Sequence, residues 1–134
     1  MKYDAQAFID EALETGFSQA RELNVSALVF MPEVREMCAA DRCGQYGKSW
    51  SCPPACGSVD DSAKIAADYS FGIIVQTIGK MRDDFDYENI QATSDKHKDN
   101  FSELIERLRS RYDILPMGAG ACDICGTCSY PDAP

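Results

Sequence analysis

Residues 122–128 read Cys122-Asp-Ile-Cys125-Gly-Thr-Cys128, a run of three cysteines that are each separated by two residues. Three thiols so close in sequence can point to one place only when the backbone wraps around something small, usually a metal ion or an iron–sulfur cluster. The same spacing opens the bacterial ferredoxin motif, in which a fourth cysteine soon follows and precedes a proline. No fourth cysteine follows Cys128, so the run predicts an outside ligand, a centre with three thiolates, or a truncated chain.

Four more cysteines form an earlier group with the spacing C-x4-C-x8-C-x3-C. This group offers four sulfurs to one site, although its spacing is not a standard zinc or ferredoxin signature. Its third member begins the pair Cys52-Pro53, a combination that also occurs at cluster ligands. The total of seven cysteines is odd and fits poorly with complete disulfide pairing. The predicted metal ligands are therefore Cys38, Cys43, Cys52, Cys56, Cys122, Cys125 and Cys128.

The identity of the metal is a choice between iron–sulfur clusters and zinc. The triple cysteine favours iron–sulfur, with one or two [4Fe-4S] clusters per chain. Zinc is the alternative, because Cys122-x-x-Cys125-Gly126 resembles a zinc knuckle and zinc takes four tetrahedral ligands. Free or disulfide-forming thiols are a third interpretation.

The composition limits the partners and the compartment. The chain has 134 residues, enough for a single domain over 1–134, and its net charge of −9 argues against nucleic acid and anionic membranes as partners. Its start is interrupted by acidic residues, and its longest aliphatic stretch, 71–75, is too short to cross a bilayer. We therefore expect a cytoplasmic protein, in which clustered cysteines bind metal or do redox work more often than they form structural disulfides.

The apolar spacing and the capping residues predict an α+β fold, a small sheet with flanking helices and two cysteine-rich metal-binding loops. Helices are expected over about 5–15, 32–37, 59–68 and 95–112, and strands over 27–30, 69–78 and 114–117. Residues 80–92 are acidic and are expected to form an irregular excursion. No catalytic pattern is present, and His97, in a charged stretch, is expected to be a solvated surface residue.

The segment 38–57 shows neither helical nor strand periodicity and is interrupted by glycines and by Pro53-Pro54. A loop of this length needs something other than a strand ladder to order it, and a bound metal centre would serve. Tyr46 and Trp50 supply apolar bulk that either shields such a centre from water or simply covers the core.

These residues together resemble a family of predicted metal-binding proteins, the domain of unknown function 2284. The resemblance lies in Cys38-x4-Cys43-x2-Tyr46-Gly47-Lys48-x-Trp50-x-Cys52-Pro53-Pro54, followed by Gly120-x-Cys122-x2-Cys125-x2-Cys128. It implies a cysteine-ligated metal or cluster, an occurrence mainly in anaerobes, and an association with corrinoid methyl-transfer systems. It also implies a further cysteine soon after the triple motif, so its absence here suggests truncation, and it makes Cys56 the least supported ligand.

The function predicted from these observations is that of an iron–sulfur protein handling electrons for a redox partner enzyme. It is expected to act as an accessory protein and not as an independent enzyme. The rival prediction is a zinc-stabilised interaction domain without redox activity.

Overall fold

A computed structural model describes residues 3–118, 120, 122 and 124–132 of the chain. The helices are α1 (Ala5–Thr15), α2 (Pro32–Ala39), α3 (Val59–Ala67) and α4 (Tyr87–Arg109), with a short 3-10 helix at Val25–Ala27. The strands are β1 (Gln19–Leu23) and β2 (Gly72–Gln76), which pair antiparallel. The predicted α+β class, a small sheet with helices, is confirmed.

The described residues group into two compact units, each built from two segments of the chain. The sheet unit lies within residues 1–26 and 70–116, and the cysteine unit lies within 27–69 and 117–134. The sheet unit contains α1, β1, β2 and α4, and the cysteine unit contains α2 and α3. The prediction of one domain over 1–134 stays a prediction.

The apolar core lies in the sheet unit. Its buried side chains are Ala12 on α1, Phe17 at the turn after it, and Leu104 and Leu108 on α4. Ile73 and Val75 of β2 pack against them. The two buried leucines of α4 are four residues apart because positions i and i+4 lie on one face of a helix, as the apolar spacing of that segment predicted.

Helix α4 begins eight residues earlier than Asp95, so the prediction of an irregular excursion over 80–92 is wrong for its second half. The reason is a cap at Asp86, whose carboxylate accepts hydrogen bonds from the backbone N–H of Asn89 at 3.3 Å and of Arg82 at 2.8 Å. Capping by Asp satisfies N–H groups that the first helical turn leaves without a partner. The side chain of Asp86 is buried, so this acidic residue is part of the fold.

Helices α1 and α3 also begin at capping side chains. Asp4 accepts from the N–H of Gln6 at the start of α1, and Gly16 ends that helix with φ 126°, a left-handed conformation that favours glycine. Ser58 and Asp61 form a reciprocal capping box at the start of α3, with both bonds at 3.1 Å.

Of the three predicted strands, two are absent from the described residues and one is shorter than expected, while β1 was not among the strands predicted. Residues 27–30 and 114–117, all within the described part of the chain, form no strand, and the expected strand over 69–78 is reduced to Gly72–Gln76. Among the described residues, the sheet consists of two strands of five residues each. Ile114 packs against the core without joining the ladder. Among the described helices, none is both long enough and apolar enough to cross a bilayer.

Candidate metal centre

All seven cysteines lie in the cysteine unit, and all seven are free thiols. Cys38 lies near the end of α2 and is half-buried, and Cys43 follows it in an exposed turn. Cys52 and Cys56 are half-buried in the next turns, and Cys122, Cys125 and Cys128 are exposed. The structure therefore places both sequence groups in one compact unit.

The first cysteine loop is ordered by a succession of backbone turns. The N–H of Asp41 donates to the carbonyl of Cys38 at 3.0 Å, and the N–H of Gly47 donates to the carbonyl of Pro53 at 2.8 Å. The N–H of Cys56 donates to the carbonyl of Cys52 at 3.2 Å, which closes one helical turn. Backbone hydrogen bonds in turns therefore help to order the segment 38–57, which was expected to be ordered by a bound metal.

Trp50 and Ser51, in this first loop, contact the late cysteine run. The indole Nε1–H of Trp50 donates to Ser129 Oγ at 3.2 Å, and its ring meets the Tyr130 ring edge to face at 5.1 Å. Ser51 Oγ accepts from the backbone N–H of Cys122 at 3.3 Å and lies 4.0 Å from Cys52 Sγ. These contacts bring Cys52 and the run 122–128 to the same part of the unit.

The thiol of Cys128 has a lowered pKa. The backbone N–H groups of Tyr130 and, to a lesser degree, Trp50 lower the pKa of the Cys128 thiol below its usual value, because both donate to the thiolate. A thiolate is the form that binds a metal, so this environment favours Cys128 as a ligand.

Among the residues that join the first cysteine loop to the end of the late run, only Trp50 was singled out from the sequence. Ser51, Ser129 and Tyr130 carry no signature, since serine and tyrosine are common in loops.

The described side chains do not form a closed metal site. Within residues 3–118, 120, 122 and 124–132, no three His, Cys, Asp or Glu side chains converge closely enough to hold an ion. The two metal-binding loops are therefore not confirmed as such, and the ligand set Cys38, Cys43, Cys52, Cys56, Cys122, Cys125 and Cys128 stays a prediction.

The cysteine unit nevertheless fits a metal, because it has abundant thiol donors and little apolar interior. Ala66 is its only described hydrophobic residue in the buried class, and it contains no disulfide among the described residues. Several large apolar side chains of this unit are exposed to solvent, with Val29 75% exposed, Met37 73% exposed and Ile124 86% exposed. A unit of this size without a core generally needs disulfides or a metal to hold it together.

Arg35 places a positive charge beside the first group. It lies three residues before Cys38 on α2, which puts both on one face of that helix. One guanidinium nitrogen donates to Ser62 Oγ at 3.3 Å, while its buried Nε has no hydrogen-bond partner within the described part of the chain. A cation at this position would offset the negative charge of nearby thiolates.

His97 was expected to be a solvated surface residue, and that expectation is wrong. The ring is half-buried between Phe17 and Phe101, and its Nδ1 lies 2.8 Å from the hydroxyl of Thr77. These partners belong to the sheet unit, so His97 is a structural residue of that unit.

Comparison with known proteins supports metal binding at the family level. The model of a family described as "Predicted metal-binding protein (DUF2284)" matches residues 21–134. That range includes all seven cysteines as well as Trp50 and Ser51. No curated protein and no solved structure matches the chain.

Proposed function

The chain belongs to this family of predicted metal-binding proteins, and on that premise we propose that it is a cytoplasmic iron–sulfur protein that carries electrons for a partner enzyme. The observation that carries the proposal is the concentration of seven free thiols in a unit that buries almost no apolar side chain. The spacing of the last three cysteines is the spacing at which a cubane cluster is held.

The proposed roles of the residues follow from their placement. Cys122, Cys125 and Cys128 would hold one cluster, and the first group would hold a second. Such a cluster, when bound, accepts and releases one electron at a time. The N–H groups of Tyr130 and Trp50 donate to the Cys128 thiolate, and hydrogen bonds to ligand sulfur stabilise the more negative, reduced state. The negative charge of the chain, −9, acts in the opposite direction.

The exposure of Cys122, Cys125 and Cys128 would suit the exchange of electrons with a partner protein. All three sulfur-bearing residues lie at the surface, and Ile124 between them presents an almost fully exposed apolar side chain. A centre at the surface leaves a short path to a docked acceptor. The acidic chain would favour a basic surface on that acceptor, with an association rate that falls as salt rises.

The test is metal and spectroscopic analysis of protein purified without oxygen. We expect brown protein with roughly four to eight irons per chain and matching acid-labile sulfide. Reduction with a low-potential donor should produce a paramagnetic signal that disappears when an acceptor is added. The matched control replaces Cys122, Cys125 and Cys128 by serine, and it should lose the part of the iron held by the late run.

Two results would count against the proposal. Colourless protein with stoichiometric zinc, from cells supplied with iron, would identify the zinc-stabilised interaction domain instead. An iron centre that stays spectroscopically silent across the accessible potentials would remove the electron-carrier role.

A further inference from the structure

We infer that the turn at the start of α4 is a docking surface for a basic segment of a partner protein that also carries apolar side chains. This surface, the aromatic turn, consists of Phe85, Tyr87 and Ile90 with acidic side chains beside them. All of these residues belong to the sheet unit, so the inference does not depend on the metal proposed for the cysteine unit.

The aromatic turn presents large apolar side chains to solvent. Phe85 is 76% exposed, Tyr87 is 69% exposed and Ile90 is 44% exposed. Phe85 directly precedes the cap and Ile90 is the fourth residue of α4, and these are the two positions that adjoin in a hydrophobic staple. Tyr87 and Ile90 are three residues apart on α4, so they share one face of the helix. The three side chains therefore lie together at one end of α4.

Hydrogen bonds order the backbone that carries these side chains. The N–H of Phe85 donates to Asp83 Oδ1 at 2.8 Å, and the N–H of Tyr87 donates to the carbonyl of Phe85 at 2.8 Å. Between them, the buried carboxylate of Asp86 accepts from Nε of Arg82 at 3.2 Å and from Nη2 at 3.1 Å. Aromatic side chains are enriched at the centres of protein interfaces, and an ordered backbone lowers the entropic cost of covering them.

The charges beside the aromatic turn favour a basic partner. Residues 80–90 contain four acidic and two basic side chains. Asp83, Asp84 and Glu88 are exposed, whereas Asp86 is buried and pairs with Arg82. Opposite charges around an apolar centre favour association and fix its orientation. The segment that fits this surface therefore combines apolar side chains with lysine or arginine.

A second copy of the chain and an anionic membrane both fit this surface less well. A second copy would bring the same acidic side chains against Asp83 and Asp84, and like charges that face each other across an interface lower affinity. An anionic lipid surface would repel a chain with a net charge of −9. The occupant is therefore a different protein.

Binding of two synthetic peptides to the full chain tests the aromatic turn. One peptide is an amphipathic helix of leucine and lysine, and the other has glutamate at every lysine position. Both carry a fluorophore, and their anisotropy is followed as the protein is added. We expect the lysine peptide to bind at least about tenfold more tightly than the glutamate peptide.

Phe85→Ser combined with Tyr87→Ser should weaken binding of the lysine peptide at least about tenfold, because aromatic anchors carry much of the binding energy of an interface. The matched control is Val29→Ser combined with Met37→Ser, which removes two side chains that are 75% and 73% exposed in the cysteine unit. The control should leave binding unchanged. Equal binding by the unaltered protein and the Phe85 and Tyr87 variant, or an equal loss in both variants, would overturn the inference.

Asp84→Asn combined with Glu88→Gln tests the charge argument without removal of an aromatic ring. Binding of the lysine peptide should weaken about two- to fivefold at low salt, and the difference should shrink as salt rises. The control, Asp68→Asn with Glu36→Gln, removes the same charge from exposed positions of the cysteine unit and should have a smaller effect. An equal effect of the two pairs would overturn the inference, and this comparison stays decisive if the serine variant is unfolded.

Two further measurements decide between the occupants and between the units. A concentration-dependent dimer in sedimentation that Phe85→Ser with Tyr87→Ser abolishes would identify a second copy as the occupant and would overturn the basic partner. Because the aromatic turn lies in the sheet unit, binding of the lysine peptide should be the same before and after chelation of the metal. Loss of binding after chelation would assign the peptide to the cysteine unit and would overturn the docking surface.

Discussion

The contact between Trp50 and Tyr130 gives a quantitative prediction for metal affinity. The rings meet edge to face at 5.1 Å and join the first cysteine loop to the end of the late run. Tyr130→Ala removes the ring but keeps the backbone N–H that donates to Cys128. Without the ring, the two segments must be ordered when the metal binds, so part of the binding free energy is lost.

The size of the effect follows from the energy of an aromatic pair, which is about 0.5–1.5 kcal/mol beyond the area it buries. Because 1.4 kcal/mol corresponds to a factor of ten, metal binding should weaken about two- to twelvefold. Trp50 is the only tryptophan of the chain, so its emission reports directly on this contact. The assay is a chelator titration of metal-loaded protein without oxygen, followed by Trp50 fluorescence and by metal content.

The matched control is Tyr87→Ala, which removes the same ring from a position that is 69% exposed in the sheet unit. It should leave the chelator midpoint unchanged. A midpoint for Tyr130→Ala equal to that of the unaltered protein, or an equal shift in both variants, would refute the reasoning that the ring pair organises the metal site.

Three further predictions address the two units separately. Leu104→Ala, at a site 4% exposed, should lower the free energy of unfolding by about 3 kcal/mol, whereas Leu115→Ala, at a partly exposed site, should lower it much less in the same denaturant titration. Hydrogen bonds from Arg82 and Asn89 hold the pKa of Asp86 well below its usual value, so its contribution to stability is present above a pH of about 4 and is lost on further acidification. Asp86→Asn should therefore weaken the fold at pH 7 and flatten its acid dependence in denaturation at several pH values, and an unchanged acid limb would contradict this. Chelation of the metal should make residues 38–57 sensitive to protease while α4 stays protected, and identical digestion patterns with and without metal would show that turns alone order the loop.

Local signals explain why much of the fold could be predicted from the sequence. The caps at Asp4 and Ser58 and the proline at the start of α2 act within one helical turn, so their effect is visible in a short window. The start of α4 was missed because the cap at Asp86 is one aspartate among several acidic residues. Asp86 serves as the cap because Arg82 and Asn89 donate hydrogen bonds to its carboxylate. The periodicity of apolar residues gives no sign of these hydrogen bonds.

The site was predictable in its residue types and not in its arrangement. Cysteine spacing identifies the donors because ligands close in sequence constrain a common target. The approach of Ser51 to Cys122, 71 residues apart, depends on the path of the whole cysteine unit and has no local signature. The same holds for the packing of His97 between Phe17 and Phe101, which converted an expected surface residue into a structural one.

The separation of apolar core and thiols has a consequence for how the protein responds to metal loss. The sheet unit buries Phe17, Leu104 and Leu108 and has its own source of stability. The cysteine unit, with Ala66 as its one described hydrophobic residue in the buried class, has turns, caps and the Trp50 contacts instead. Metal binding energy is then folding energy for the cysteine unit in particular. Under the function proposed above, oxidation or loss of the centre would disorder the surface offered to the partner, and the same event would remove both the proposed electron carrier and its docking surface.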